Sequence, residues 1–189
     1  MLLTMFISSY GQSPYGMGCL PEPNPESLPH QAELLTKDFE SLPSRFSLED
    51  YCPIPQSQGQ YGTCTGWATA YAFRSILEAV RHGWTDKKQI TNEAFSPLFL
   101  YARIKQSNDM NCSLGSVISD AFSQMKNVGV AKKNDFNHMC TSFVPNDIIA
   151  SASKHKIANF TTIVNNGYFP TSHDMTIQKV KKLLQTDNP

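Results

Sequence analysis

The stretch 58-QGQYGTCTGWATAYAFRSILEA-79 places a cysteine between a glycine-rich turn and a long helical pattern. A thiol attacks as its thiolate, and the unpaired amides at a helix N-terminus favour negative charge there. Cys64 stands at that position, with Gly62 and Thr63 leading in. Gly59 and Gly62 permit the close backbone approach that a site admitting a peptide carbonyl needs. Gln58, six residues upstream, can bring an amide N–H to an oxyanion beside the backbone N–H of Cys64. A lone cysteine is more often a small buried residue. Here the glycines, Gln58 and the helix together favour a nucleophile.

The elements that must hold this group follow from periodicity. Trp67, Ala68, Tyr71, Ala72, Ile76 and Val80 recur at helical spacing, and His82-Gly83 ends the pattern. Ser96-Pro97 opens a second helix through Leu98, Leu100 and Tyr101. After the loop NCSLG, the residues Val117, Ile118, Ala121, Phe122, Met125 and Val128 share a third helical face, with Gly129 as its C-terminal cap. Val144-Pro145-Asn146 starts another helical turn. Residues 157–164, rich in Thr and Ile, read as a strand, and residues 174–184 as an amphipathic helix. Upstream, Phe46, Leu48, Tyr51 and Ile54 form a short extended run broken by Pro53 and Pro55. The predicted class is α+β, helical first and strand-forming later.

Composition narrows the function. The 189 residues are 40% hydrophobic and 17% charged, a globular balance. Lys+Arg and Asp+Glu number 16 each with no single-sign run, which argues against nucleic acid or an anionic membrane surface as partner. No stretch has the length of a membrane span. The five cysteines, Cys19, Cys52, Cys64, Cys112 and Cys140, form no C-x-x-C pair and have no histidine at ligand spacing. No metal or other cofactor is therefore expected. Their odd number fits disulfides plus a free thiol, and equally five reduced thiols. MLLTMFISSYGQ resembles the end of a secretory signal, which points to a secreted or periplasmic protein, or else a hydrophobic leader that merely packs. The Pro-, Gly- and Ser-rich residues 11–45 read as an extended leader or linker.

PIPQSQGQYGTCTGWATAYA resembles the nucleophile segment of the papain-like cysteine peptidases of the C1 type, whose local signature is C-G-[SA]-C-[WY]. The approach SLPSRFSLEDYCPIPQSQG, the helix FSPLFLY and the segment NCSLGSVISDAFSQMKNVGV resemble that family's mature N-terminus, second helix, and glycine-containing loop with third helix. The likeness covers about residues 43 to 189 and is densest at 58 to 72. It implies a papain-like fold in three parts: a leader over 1–42, a helical left-hand domain over 43–155, and the start of a β-rich right-hand domain over 156–189. It implies Cys64 as nucleophile and Gln58 in the oxyanion hole, with Gly62, Thr63 and Gly115 as substrate-binding positions and a peptide or protein as substrate. The sequence departs from the family in several places. Tyr61 replaces the signature's first cysteine, so the family's disulfide from there to Cys112 cannot form; this leaves Cys112 free or paired elsewhere, with Cys52–Cys140 as one pairing. Thr65 stands where an aromatic follows the nucleophile, and only Gly115 remains of two adjacent glycines.

A cysteine–histidine mechanism needs an imidazole oriented by a third group. The family carries its His and Asn about 130–150 residues beyond the nucleophile, and about 125 residues follow Cys64 here. His30 lies in the leader. His82 lies at the far end of a helix spanning roughly 27 Å. His138 and His155 lie in polar, loop-like sequence, and His173 precedes a helix start. The expectation is an N-terminal fragment of a cysteine peptidase, inactive alone, whose base, orienting Asn and C-terminal half belong to a longer chain. The competing readings are a catalytically inactive papain-like binding module and a cysteine acyltransferase.

Overall fold

The computed structural model describes residues 16–30, 45–163, 177 and 180–182. In chain order its main elements are β1 (Cys19–Leu20), α1 (Cys64–Gly66), a π-helix (Trp67–Arg74), α2 (Ser75–His82), α3 (Lys87–Asn92), α4 (Pro97–Ile104), β2 (Ser116–Val117), α5 (Ile118–Asn127) and α6 (Asn146–Ala152).

The periodicity that begins at Cys64 is one continuous helical run in three lengths rather than a uniform α-helix. Its wide middle has a local cause. The Thr69 hydroxyl donates to the Thr65 carbonyl at 2.6 Å, and the Ser75 hydroxyl donates to the Ala70 carbonyl at 3.3 Å. Both carbonyls thus gain side-chain donors in the stretch where the helix widens, as such back-bonding tends to bend or loosen a helix. The run ends as its sequence predicts, with Gly83 in the left-handed region at φ 65°.

α4 starts where Ser96-Pro97 predicts. The Ser96 hydroxyl accepts from the Phe99 N–H at 2.9 Å, and Pro97 occupies the first turn. Leu98, Phe99, Leu100 and Tyr101 are all buried. Leu98, Phe99 and Leu100 pack with Ala70 of the π-helix, Ala121 and Met125 of α5, and Val130, Ala131, Phe136, Val144 and Ala152 in one core. α5 ends at Gly129, whose φ of 100° and N–H bond to the Gln124 carbonyl close the cap. α3 was not expected. Its N-cap is Asp86, whose carboxylate accepts from the Lys88 N–H, and Ile90 is its one buried residue.

Two expectations are corrected. Residues 157–163 form no strand; a single parallel bridge joins Thr162 to His30. Ile157 packs on the core and donates its N–H to the Met125 carbonyl, so its branched side chain serves packing and not a sheet. His155 is no solvated surface residue: it is half-buried, edge-on to Phe95 at 5.3 Å. The helix expected over 174–184 lies largely outside the described residues, although Ile177 and Val180 are described and exposed. The N-terminal signal-like stretch lies outside them too. Among the described residues no helix is long and apolar enough to cross a membrane, and no His/Cys/Asp/Glu group could hold a metal.

Candidate active site

The approach segment reaches Cys64 under restraint. Glu49–Tyr51 form a single tight helical turn, after which the Ile54 carbonyl accepts from the Tyr71 hydroxyl at 2.6 Å and the Ile54 N–H donates to Thr91 Oγ1 at 2.8 Å. Beyond this anchor the chain turns through Gly59, at φ 69°, and enters the helix at Cys64. Thr63 occupies the N-cap position, but its side chain is fully buried and its hydroxyl has no partner.

The opposite wall is the loop before β2, held by a buried polar relay. The Tyr101 hydroxyl donates to Asp109 Oδ2 at 2.6 Å and accepts the Gly115 N–H at 3.0 Å. The other oxygen, Asp109 Oδ1, accepts the Ser113 N–H at 3.0 Å, and the Lys105 ammonium bonds the Asp109 carbonyl. Burial opposes ionisation of Asp109, yet the Tyr101 hydroxyl and the Ser113 and Leu114 amides outweigh it and hold the carboxyl below its usual value. Burial, then the Asp109 partner, raises the Tyr101 phenol well above its own. The loop is tied to the turn before Cys64 by the Gly62 N–H, which donates to the Cys112 carbonyl at 2.6 Å.

A disulfide joins Cys112 to Cys140, with Cα atoms 5.5 Å apart. The Cys52–Cys140 pairing is thereby corrected. Cys52 is a free, half-buried thiol over the Leu48 carbonyl at 3.5 Å, and Cys19 and Cys64 are also free. No geometric cue in the sequence announces the Cys112–Cys140 pair, since it depends on loops brought together by the fold.

A cleft of roughly 460 Å³ is lined by Gln56, Ser57, Gln58 and Cys64 together with Gly16, Met17, Gly18 and Cys19. The Gln58 side-chain amide donates to the Gly16 carbonyl at 2.8 Å and to the Tyr61 carbonyl at 3.0 Å. The Gly18 N–H donates to Cys64 Sγ at 3.3 Å. The Gly18 carbonyl accepts from the Ser116 N–H at 2.8 Å and, more loosely, from the Thr65 hydroxyl at 3.4 Å. Immediately afterwards Cys19 and Leu20 pair in parallel with Ser116 and Val117. Gly115, at φ 80°, lies so close that a Cβ there would meet the Gly18 carbonyl oxygen at 2.4 Å.

Of the residues singled out from sequence, Gln58, Cys64, Gly62 and Gly115 thus surround one extended peptide segment, while Thr63 turns inward. Gly16, Gly18, Thr65 and Ser116 were missed. Their only signal is the alternation in 16-GMG-18, hidden in a segment whose composition reads as linker. The described histidines are all engaged elsewhere. His82 faces Glu78 at 3.6 Å and stacks on Trp84, His138 lies against Phe136, His30 reaches Thr162, and His155 lies against Phe95. His173 falls outside the described residues.

No family model matches the chain, and no curated protein matches it. Among solved structures it is similar to xylellain, a cysteine protease from Xylella fastidiosa, with a TM-score of 0.66 over 97% of this chain at 17% sequence identity. The chain spans 65% of the length of that protein chain. Likeness at this identity concerns the fold, and the fold is the papain-like cysteine-protease fold that the segment around Cys64 led us to expect.

Proposed function

We propose that the molecule is the nucleophile-bearing part of a papain-like cysteine peptidase, with Cys64 as nucleophile and Gln58 as oxyanion donor. One observation carries the reading. A thiol and a side-chain amide grip the same extended main chain, Cys64 Sγ at the Gly18 N–H and Gln58 at the Gly16 carbonyl, so the cleft is built to hold a peptide backbone. In the reaction the Cys64 thiolate attacks a peptide carbonyl carbon, and the charge that develops on oxygen is met by Gln58 and the Cys64 N–H. The C–N bond then breaks as the departing amine takes a proton from an imidazolium, and water releases the acyl group. The imidazole and its orienting partner come from outside the described residues, in the C-terminal half of the same protein. The 189-residue chain alone is expected to carry the nucleophile without turning over amides. Gly62 and Gly115 serve as main-chain contacts for the substrate, and Thr63 through its backbone. The Cys112–Cys140 bridge supports an oxidising compartment, secreted or periplasmic.

A non-catalytic peptide-binding module is the second reading, favoured by the engagement of every described histidine away from Cys64. Labelling with a peptidyl epoxide separates the two. The peptidase reading expects Cys64 to be modified in preference to Cys19 and Cys52, with Gln58→Ala slowing the reaction at least about tenfold, in line with loss of one oxyanion donor. Equal modification of the three thiols, unaffected by Gln58→Ala, would favour the binding module.

A further inference from the structure

Thr65 departs from the papain-like signature, which carries an aromatic residue directly after the nucleophile. We infer that Thr65 is a positioning residue: its hydroxyl fixes the place of β2 relative to Cys64, and so the place of a bound peptide relative to the sulfur. The inference rests on the peptidase reading, in which β2 holds the substrate backbone.

The link is direct and dry. Thr65 is 2% exposed and Ser116 3%. The Thr65 hydroxyl donates to the Ser116 carbonyl at 3.1 Å and lies farther, at 3.4 Å, from the Gly18 carbonyl. A hydroxyl has one proton to give, and the shorter contact takes it. A threonine in a helix often turns its hydroxyl back onto a carbonyl of the preceding turn. Here the hydroxyl crosses to a different element instead, while the carbonyl four residues back, that of Tyr61, accepts from the Gln58 amide. A β-branched side chain has little rotamer freedom, so the link is stiff as well as short.

Ser116 is the residue where such a link matters. Its N–H donates to extended main chain, the Gly18 carbonyl at 2.8 Å, while its own carbonyl receives Thr65. The residue before it is also held, since the Gly115 N–H donates to the Tyr101 hydroxyl at 3.0 Å. Gly115 and Ser116 are thus tied to α4 through Tyr101 and to α1 through Thr65. Gly66, next in α1, approaches α4 so closely that a Cβ there would lie 2.4 Å from the Pro97 carbonyl oxygen. The sulfur and the strand therefore share one mount. Without the Thr65 hydroxyl, the buried Ser116 carbonyl is one partner short and β2 is free to shift against the sulfur. Small misplacements of this kind slow a reaction well before they unfold a protein.

The test compares two reagents on the full chain, with modification followed site by site by mass spectrometry. A peptidyl epoxide must seat its peptide along β2, whereas iodoacetamide needs only the sulfur. The ratio of their rates at Cys64 cancels whatever access is common to both. Thr65→Val keeps the shape and removes the hydroxyl, and is expected to lower the ratio about tenfold. Thr65→Ser keeps the donor and should hold the ratio within about twofold. Ser75→Ala removes another buried hydroxyl of the same helical run, one that bonds the Ala70 carbonyl and the Phe95 N–H. It should lower the urea midpoint and leave the ratio alone. An unchanged ratio in Thr65→Val, or an equal fall in Thr65→Ser or Ser75→Ala, would overturn the inference. Should Thr65→Val fail to fold, seen as iodoacetamide rates rising alike at Cys64 and Cys52, Thr65→Ser decides by the same criterion. Equal epoxide labelling of Cys64, Cys19 and Cys52 in the unaltered chain would sink the peptidase reading and this inference with it. Preferential labelling of Cys64 with no change in Thr65→Val would sink the inference alone.

Discussion

The Tyr101 hydroxyl sits between two groups that need it, giving its proton to Asp109 Oδ2 at 2.6 Å and receiving the Gly115 N–H at 3.0 Å. All three residues are buried. One phenol oxygen therefore couples the core helix α4 to the wall against which the leader lies.

Tyr101→Phe keeps the ring and removes only the oxygen, leaving a buried carboxylate oxygen and a buried amide without this partner. The expected loss is about 1–3 kcal/mol of stability. It should be read as a lower urea midpoint with an unchanged denaturant slope, which reports a stability change in an intact fold. A midpoint equal to that of the unaltered chain would show that the relay does not support the wall.

The same relay predicts an acid response. Because the folded-state value of Asp109 lies below its ordinary value of 3.8, the unfolded chain binds the proton more readily. The carboxylate's contribution is fully present above that ordinary value and is lost as pH falls through the lower folded value. Asp109→Asn should flatten the stability–pH curve in that acidic window and cost stability at neutral pH. Parallel curves for the two proteins below pH 4 would contradict the assignment.

The Cys112–Cys140 bridge closes a loop across a sequence separation of 28. Replacing both cysteines by serine is expected to cost about 3–4 kcal/mol on the loop-entropy estimate. Cys112 also accepts the Gly62 N–H through its carbonyl, so loosening this loop should speed iodoacetamide labelling at Cys64 as well. Unfolding measured with and without a reductant checks the first effect, and site-resolved labelling checks the second.

What was legible in the sequence was whatever depends on neighbours along the chain. Ser96-Pro97 and Gly129 mark helix ends because caps are satisfied locally, and Gln58 is legible from Cys64 because a short turn fixes their separation. α3 escaped notice because Ile90 alone marks its buried side, leaving too little periodicity to detect. The π-helix escaped because Trp67, Ala70 and Tyr71 give nearly the same apolar rhythm in either geometry. The strand read over the described residues 157–163 arose from β-branched residues, of which Ile157 is used to pack on Met125 and its neighbours. The leader's role was illegible for a deeper reason. Its contacts are made by backbone atoms, and backbone atoms leave almost no trace in composition.

The parallel pairing of Cys19 with Ser116 has a consequence for the order of assembly. A parallel pair cannot close as a hairpin; it must wait for the intervening chain to fold and return. Ribosomes release the leader first, but its seat is complete only after Gly115, Ser116 and Val117 have been made and their loop tethered. The cost of closing so long a loop also delays contacts of this kind relative to helix packing. Residues synthesised first are therefore among the last to find their place, and during that interval a newly made chain carries an open Cys64.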